Sequence, residues 1–273
     1  MTAQPPVADP ELLVPLAPGA PGTPLFCVHA SSGSAYSYLG LAGLLGDDRP
    51  VYGIEAPGFD GHREPVRSLR ALSAEYAETL REFRAGGEVL LLGWSLGGVI
   101  AFDTASRLVS TGVRVPRLVL VDVSMPHVAE LPPEHEVLRR FLRELLAAAG
   151  AGPQALDAVD PVIAALPSDA TAEAALDAAE RSGVLPSELD AELLTDRYAV
   201  FRAHLEASYG FEPTDRYPGP VTHFMASASS HHAMDWRPVA PCLTEHEVPG
   251  THHSIWTGDS LHHLATLVRA ALS

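Results

Sequence analysis

Six short apolar runs separated by helical patterns constrain the fold of this 273-residue chain more than any other feature. Each run is rich in Val, Ile or Leu and is bounded by Gly or Pro, as is typical of strands covered on both faces of a sheet. Because strands that alternate with helices form parallel sheets, we expect an α/β chain with helices on both faces of a mostly parallel sheet. The runs are PLFCVHA (24–30), PVYGIEAPG (50–58), EVLLLGWS (88–95), PRLVLVDV (116–123), GPVTHFMAS (219–227) and CLTEHEVPG (242–250).

Amphipathic helices are predicted between and after these runs. Ser68 is a predicted N-cap of one helix, which Gly86-Gly87 closes, and a second runs from Leu96 to about Thr111. A last helix begins near Asp259-Ser260. The first 23 residues, rich in Pro, Ala and Gly, are interpreted as a lead-in arm. The length suits one domain over residues 1–273.

The segment from about Pro126 to Pro218 interrupts the alternation with helical periodicity and no strand pattern. Its segments are joined by Ala-, Gly-, Pro- and Asp-rich links such as AAAGAGPQ and PSDATAEA. Ligands of such sheets bind beyond the carboxyl ends of the strands. We therefore predict a mobile helical lid inserted between core strands; additional core is the alternative.

Charge and cysteine content limit the possible partners and compartments. The chain carries 34 acidic residues against 18 arginines and no lysine, a net charge of −16. This balance argues against nucleic acid and anionic membranes as partners. Cys27 and Cys242 lie in apolar runs and are expected to be buried thiols. No basic segment followed by an apolar core opens the chain, so we expect a cytoplasmic protein without a secretory signal.

Gly93-Trp94-Ser95-Leu96-Gly97 lies where the third run passes into a helix and matches a nucleophile elbow. In such a turn the residues two before and two after the serine crowd each other, and glycine at both positions relieves the crowding. The serine is left in a strained backbone state with its hydroxyl projecting from the sheet edge. We predict that Ser95 is a catalytic nucleophile.

A serine nucleophile needs a base and a group that orients the base. His252 follows the last run in a loop before the final helix, and His253 is its adjacent rival. Asp122 closes the fourth run, whereas Asp235 follows the fifth at a distance of several polar residues. Because a buried aspartate is costly without a partner, Asp122 is the favoured acid.

Two further predictions concern metal ions and the oxyanion. Adjacent histidines, as in the pairs at 231–232 and 262–263, cannot easily share one ion, so no metal site is expected. The oxyanion needs two backbone donors, predicted to be the amides of Leu96 and of Ser31 in the loop after the first run. Ala30 and Ser32 are alternatives to Ser31, and Gly33 allows that loop a close approach.

Seven stretches in chain order resemble the thioesterase domains that end nonribosomal peptide synthetases and some polyketide synthases, which have the α/β-hydrolase fold. In that family the acid follows the strand after the elbow, which matches Asp122, and the histidine follows a Gly-x pair, which matches His252. The sequence departs from the family at SSG (31–33), where many members carry an Ala-Gly-Gly-like or Pro-containing loop. The stretches are LVPLAPG (13–19), PLFCVHASSGSAYSYLGLA (24–42), VYGIEAPGFDG (51–61), LLLGWSLGGVIAF (90–102), LVLVDVSMP (118–126), YPGPVTHFMAS (217–227) and VPGTHHSIW (248–256).

The resemblance implies release of an acyl or peptidyl chain from the phosphopantetheine arm of a carrier protein through an acyl-enzyme, by hydrolysis or cyclisation. It implies no metal or organic cofactor and a monomer. A stand-alone editing (type II) thioesterase is the main alternative, followed by a carboxylesterase or lipase. A carrier protein is also expected to be acidic, so attraction would be local, through arginines such as Arg63, Arg67 and Arg70, or replaced by tethering.

Overall fold

The computed structural model describes residues 8–124, 131–167, 170–185, 191–229 and 235–273. Within these residues a seven-stranded sheet has the order β1-β3-β2-β4-β5-β6-β7. Its strands are β1 (Leu13–Ala17), β2 (Leu25–Val28), β3 (Val51–Ile54), β4 (Leu90–Trp94), β5 (Leu118–Val121), β6 (Val221–Ala226) and β7 (Leu243–Val248).

Strands β2 to β7 are parallel and coincide with the six apolar runs, so the predicted parallel sheet is confirmed. Strand β1 pairs antiparallel with β3 at the sheet edge. The interpretation of this segment as a lead-in arm was therefore wrong for residues 13–17. Pro15 lowers its strand signal, yet an edge strand tolerates proline because only one side must pair.

Nine helices occur in the described residues, and four of them cover the sheet. Helices α2 and α3 pack against Phe26 and Val28 on one face, whereas α1 and α9 pack against Leu25 and Cys27 on the other. Ser68 caps α2 as predicted, its Oγ accepting from the Ala71 amide at 3.3 Å. The helices are α1 (Leu39–Leu45), α2 (Leu69–Arg84), α3 (Leu96–Ser110), α4 (Glu134–Ala148), α5 (Pro153–Asp157), α6 (Val159–Ala164), α7 (Ala172–Arg181), α8 (Ala191–Ser208) and α9 (Gly258–Ala271).

Alternating strand residues thus enter two separate cores, one on each face, which confirms helices on both faces of a mostly parallel sheet. Cys27 is buried as expected, but Cys242 is exposed. That expectation was wrong because Cys242 precedes β7, which is the edge strand of the sheet in the described part of the chain.

Helices α4 to α8, here called the helical insertion, lie between β5 and β6. No strand interrupts them in the described part of that interval, in agreement with the predicted helical periodicity. They enclose a hydrophobic core of their own, with Phe141 and Leu142 of α4 against Tyr198 and Phe201 of α8. The predicted start near residue 126 lies outside the described residues, and the mobility of the insertion stays a prediction.

None of the helices in the described ranges is both long and apolar enough to cross a membrane.

Candidate active site

Ser95 lies between the end of β4 and the start of α3 with φ 55° and ψ −132°. A Cβ at Gly93 would overlap the Gly97 carbonyl, which is the predicted crowding. A Cβ at Gly97 would overlap the carbonyl oxygens of Val28 and His29 instead. The two glycines therefore relieve different contacts. Gly93 allows the sharp turn at Ser95, and Gly97 allows the start of α3 to pack closely against the end of β2.

Leu96 is the first residue of α3. The first amides of a helix lack intrahelical acceptors, and the helix dipole makes this end partially positive. The Leu96 amide is therefore placed, by its position in the helix, where a backbone donor to an anion beside Ser95 is expected. Its role as an oxyanion donor stays a prediction.

Asp122 directly follows β5, has φ 46°, and its side chain is only 5% exposed. Its Oδ1 accepts from the Ala226 amide at 2.9 Å. Its Oδ2 accepts from Ser229 Oγ and from His252 Nδ1, the latter at 2.7 Å. An ionised carboxylate only accepts hydrogen bonds, so His252 carries its proton on Nδ1 and leaves Nε2 able to accept one.

The indole of Trp94, the residue before Ser95, contacts both candidate histidines. Its ring centroid lies 4.9 Å from that of His252 and 5.6 Å from that of His253. His252 thus packs between Trp94 and Asp122, whereas His253 lines the neighbouring cavity. The structure brings His252 to Asp122 and places His253 on the cavity wall.

Asp235, the alternative acid, lies apart from this site. Its side chain is 63% exposed and pairs with Arg237. Of the adjacent histidine pairs, 231–232 lies outside the described residues, and His262 contacts the Gly258 carbonyl within α9. Within the described ranges no three His, Cys, Asp or Glu side chains cluster as metal ligands do.

Ser31, the predicted source of the second oxyanion donor, contacts two helices of the helical insertion. Its Oγ donates to Glu144 Oε2 of α4 at 2.9 Å, and its carbonyl oxygen accepts from His204 Nδ1 of α8 at 3.0 Å. Burial raises the pKa of the Glu144 carboxyl to about 7, against a smaller opposing effect of the Ser31 hydrogen bond. Gly33 has φ 83°, and a Cβ there would lie 2.6 Å from Val200 of α8.

His204 also stacks on His29, which directly follows β2; the ring centroids lie 4.8 Å apart and the interplanar angle is 10°. His29 Nδ1 donates to the Ala30 carbonyl at 2.7 Å, and its Nε2 accepts from Tyr76 Oη at 2.7 Å. Burial lowers the pKa of His29 to about 3 and that of His204 to about 4. Because both pKa values lie below physiological pH, both rings are neutral there.

A cavity of about 290 Å³ lies beside Trp94 and His253, the sequence neighbours of Ser95 and His252. Core loops and the helical insertion both contribute to it, and its largest walls are aromatic. The guanidinium carbon of Arg197, in α8, lies 5.0 Å from the centroid of the Phe59 ring. The buried Nε of Arg197 has no hydrogen-bond partner among the described residues. The cavity suits a largely apolar group with a few acceptor atoms. Its lining includes Ser32, Tyr36, Phe59, Trp94, Phe141, Glu144, Arg197, Phe201 and His253.

The family model of the thioesterase domain matches residues 23–272 of this chain. The chain belongs to the thioesterase domain family. The resemblance inferred from the seven sequence stretches is therefore confirmed, and the match covers the sheet from β2 onward as well as the helical insertion.

Curated relatives of this thioesterase domain include larger synthetases. A dimodular nonribosomal peptide synthase from Bacillus subtilis (strain 168) is 35% identical over 135 residues, 48% of this chain and 6% of that protein. The thioesterase pytI from Aspergillus terreus is 36% identical over 147 residues, 48% of this chain and 47% of that protein. The probable non-canonical synthetase CymA from Salinispora arenicola (strain CNS-205) is 28% identical over 258 residues, 92% of this chain and 3% of that protein. The matched regions span less than half of each relative.

Solved structures share the fold. The four-domain nonribosomal peptide synthetase AB3403 superposes with a TM-score of 0.80 at 22% identity, over 95% of this chain and 20% of that chain. The NocB thioesterase domain, in covalent complex with a fluorophosphonate nocardicin G analog, superposes with a TM-score of 0.67 at 24% identity, over 96% of this chain and 99% of that chain. The α/β-hydrolase fold expected from sequence is thereby confirmed.

Three residues that contact the site in this thioesterase domain have no signal in the sequence. Glu144, Arg197 and His204 lie on helices of the insertion, and their spacing is ordinary for amphipathic helices. His29 lies in a run whose other residues are buried and apolar. A histidine at the end of an apolar run, just before SSG, is the only sequence feature that sets His29 apart, and it does not indicate a contact with His204.

Proposed function

We propose that this domain is a serine thioesterase that releases an acyl or peptidyl chain from a phosphopantetheinyl carrier protein. The observation that carries the proposal is the hydrogen bond between Asp122 and His252, formed beside the strained turn of Ser95. β4 and β5 are neighbours in the sheet, so the serine and the acid leave adjacent strand ends. A nucleophile, a base and an orienting acid in this arrangement perform acyl transfer on several unrelated folds.

In the first half-reaction Ser95 Oγ attacks the thioester carbonyl carbon while its proton passes to His252 Nε2. Asp122 accepts from Nδ1 and stabilises the imidazolium that forms. The tetrahedral intermediate collapses, the carbon–sulfur bond breaks, and the imidazolium proton passes to the departing thiolate. The products are an acyl-Ser95 ester and the free thiol of the phosphopantetheine arm.

In the second half-reaction His252 Nε2 takes a proton from water or from a nucleophile on the acyl chain. That nucleophile attacks the ester carbonyl, and the proton returns to Ser95 Oγ as the carbon–oxygen bond breaks. Water yields an acid, and an internal hydroxyl or amine yields a lactone or lactam. The amides of Leu96 and Ser31 would stabilise the oxyanion in both steps, and the sequence of steps requires neither a metal ion nor an organic cofactor.

A carrier protein as partner is supported by the relatives, among which are synthetases. The same relatives favour chain release over editing by a stand-alone thioesterase. Two of the three arginines considered for a local attraction are engaged within the domain, since Arg63 pairs with Glu75 at 2.7 Å and Arg67 with Glu206 at 2.6 Å. Tethering, rather than long-range charge attraction, therefore suits an acidic partner better. We expect the domain to act as a monomer.

The test uses acyl- and peptidyl-N-acetylcysteamine thioesters and an acylated carrier protein as substrates. We expect thiol release, an acyl adduct on Ser95 detectable by mass spectrometry, and labelling of Ser95 by a fluorophosphonate probe. Ser95→Ala should lose on the order of a millionfold in kcat, as removal of the nucleophile does in other serine hydrolases. A folded Ser95→Ala protein that retains near-wild-type release would refute the proposal.

A further inference from the structure

The loop of residues 30–33, here called the Ser31 loop, is held from the core and from the helical insertion at once. On the core side, the Ala30 carbonyl accepts from His29 Nδ1 at 2.7 Å and from the Gly33 amide at 3.1 Å. On the insertion side, Ser31 accepts from His204 of α8 and donates to Glu144 of α4. Ser31 itself is buried. The loop is thus a junction between two separately packed cores.

These contacts determine where the loop amides point. All described peptide bonds are trans, so each amide N–H points opposite to the carbonyl of the preceding residue. Donation from His29 to the Ala30 carbonyl therefore orients the Ser31 amide away from His29. Donation from His204 to the Ser31 carbonyl orients the Ser32 amide in the same manner. His29 thus orients the amide of Ser31, the predicted second oxyanion donor. His204 holds residue Ser31 in place through its carbonyl oxygen and orients the amide of Ser32, one of the alternative donors.

The tautomer and hydrogen bonding of His204 are those expected of a residue that positions the Ser31 loop. Its Nδ1 must carry the proton to donate to a carbonyl oxygen, so Nε2 is a bare acceptor. That Nε2 is buried and has no hydrogen-bond partner among the described residues. An unsatisfied buried acceptor is unfavourable, and an apolar ring would avoid it while keeping the stack on His29. A histidine here is therefore not explained by packing, whereas the donor at Nδ1 explains it.

We propose that His204 is a positioning residue for the oxyanion hole and that, together with Glu144, it couples the seating of the helical insertion on the core to the formation of the second oxyanion donor. The proposal rests on the proposed serine thioesterase function. When α4 and α8 are seated, both contacts hold Ser31. If the insertion lifts, Ser31 loses its partners in α4 and α8 together, and acyl transfer slows although Ser95, His252 and Asp122 remain in place.

Two variants at position 204 separate the donor from the ring. His204→Phe keeps a planar ring against His29 but removes the donor. His204→Asn loses the ring but keeps an N–H donor at the same distance from Cβ as Nδ1. The measurements are kcat and KM for an acyl-N-acetylcysteamine thioester and the inhibition constant of a trifluoromethyl ketone analogue, whose adduct with Ser95 places an oxyanion in the hole. Melting temperatures report folding.

Loss of one oxyanion donor costs about 10²–10³ in kcat, so a misoriented donor should cost somewhat less. We expect His204→Phe to lower kcat about 10- to 100-fold, to leave KM within about threefold, and to raise the ketone inhibition constant about as much as kcat falls. His204→Asn should recover most of both losses.

Equal losses in the two variants, or a raised KM with unchanged ketone affinity, would overturn the proposal in favour of a packing role. If His204→Phe does not fold, the ketone affinities of Glu144→Leu and Glu144→Gln are compared instead, because only glutamine keeps an acceptor for the Ser31 hydroxyl. Equal ketone affinities of these two variants would also overturn the proposal. A wild-type protein that neither cleaves thioesters nor binds the ketone would instead refute the proposed function itself.

Discussion

Asp122 Oδ2 and His252 Nδ1 lie 2.7 Å apart although 130 residues separate them in the chain. Asp122 leaves the end of β5, and His252 reaches it from the loop after β7, across the end of β6. The intervening strand also contributes, because the Ala226 amide at its end donates to Asp122 Oδ1. The carboxylate is thus held by neighbours on both sides.

Asp122→Asn should abolish most acylation, because asparagine cannot accept equally at both terminal atoms and favours the wrong tautomer of His252. The expected loss in kcat is on the order of ten-thousandfold, as for the equivalent change in a serine protease triad. Asp235→Asn is the matched control and should change kcat less than about twofold, since its side chain is exposed and pairs with Arg237. Steady-state kinetics with one thioester would measure both, and the reverse ranking in folded proteins would transfer the acid to Asp235.

Gly97→Ala should destabilise the domain and disable the elbow. The new Cβ overlaps the carbonyl oxygens of Val28 and His29, which are backbone atoms of the central sheet and its exit. We expect a loss of about 1–3 kcal/mol or more in the free energy of unfolding, measured in urea, together with lost activity. Gly43→Ala, in helix α1 with nothing within 4 Å of its Cβ, should be neutral or stabilising. Equal stability of the two variants would contradict the close approach of α3 to β2.

Glu144 should make stability depend on pH between about 5 and 8. Burial raises the pKa of its carboxyl from 4.5 to about 7 in the folded protein, so the folded state binds the proton more tightly than the unfolded state. The stabilisation from this proton is complete below pH 4.5 and is lost as pH rises through 7. Glu144→Gln should therefore gain stability relative to wild type by on the order of 1–2 kcal/mol on going from pH 5 to pH 8.

Glu78→Gln is the control for that measurement. The hydrogen bond from Arg81 lowers the pKa of the Glu78 carboxyl, so this group is ionised throughout the window. The difference between this variant and wild type should not change from pH 5 to pH 8. Parallel pH profiles for Glu144→Gln and wild type would show that the Glu144 carboxyl titrates normally.

The helical insertion should exchange its amide hydrogens faster than the sheet. It has a hydrophobic core separate from the two cores that cover the sheet, so it can open without exposing them. Hydrogen–deuterium exchange followed by mass spectrometry should show faster uptake in peptides from α4 and α7 than in peptides from α2 and α3, which are helices packed on the sheet. Uptake in the insertion as slow as in α2 and α3 would contradict a mobile lid.

Local sequence patterns were sufficient to predict most strands of the sheet. Continuous apolar runs punctuated by Gly and Pro predicted the six parallel strands, because a strand buried on both faces needs apolar residues at every position. Ser95 and Asp122 could be predicted as site residues because they lie at the ends of such runs, and His252 because it follows the closing turn of the last run; their catalytic roles stay predictions. Strand β1 could not be predicted, because an edge strand depends on the hydrogen bonds of its neighbour β3 rather than on its own composition.

Only the tertiary structure decided what surrounds Ser31. Glu144 lies 113 residues and His204 lies 173 residues from Ser31 in the chain, on helices whose periodicity describes their own packing. Nothing in that periodicity states which polar side chain meets the core loop. The sequence alone determines which residues lie at strand ends, because a buried strand is a continuous apolar run and its end is visible in the local sequence. Which distant helix supplies a hydrogen bond depends on how two separate hydrophobic cores dock, and that docking is a property of the whole fold.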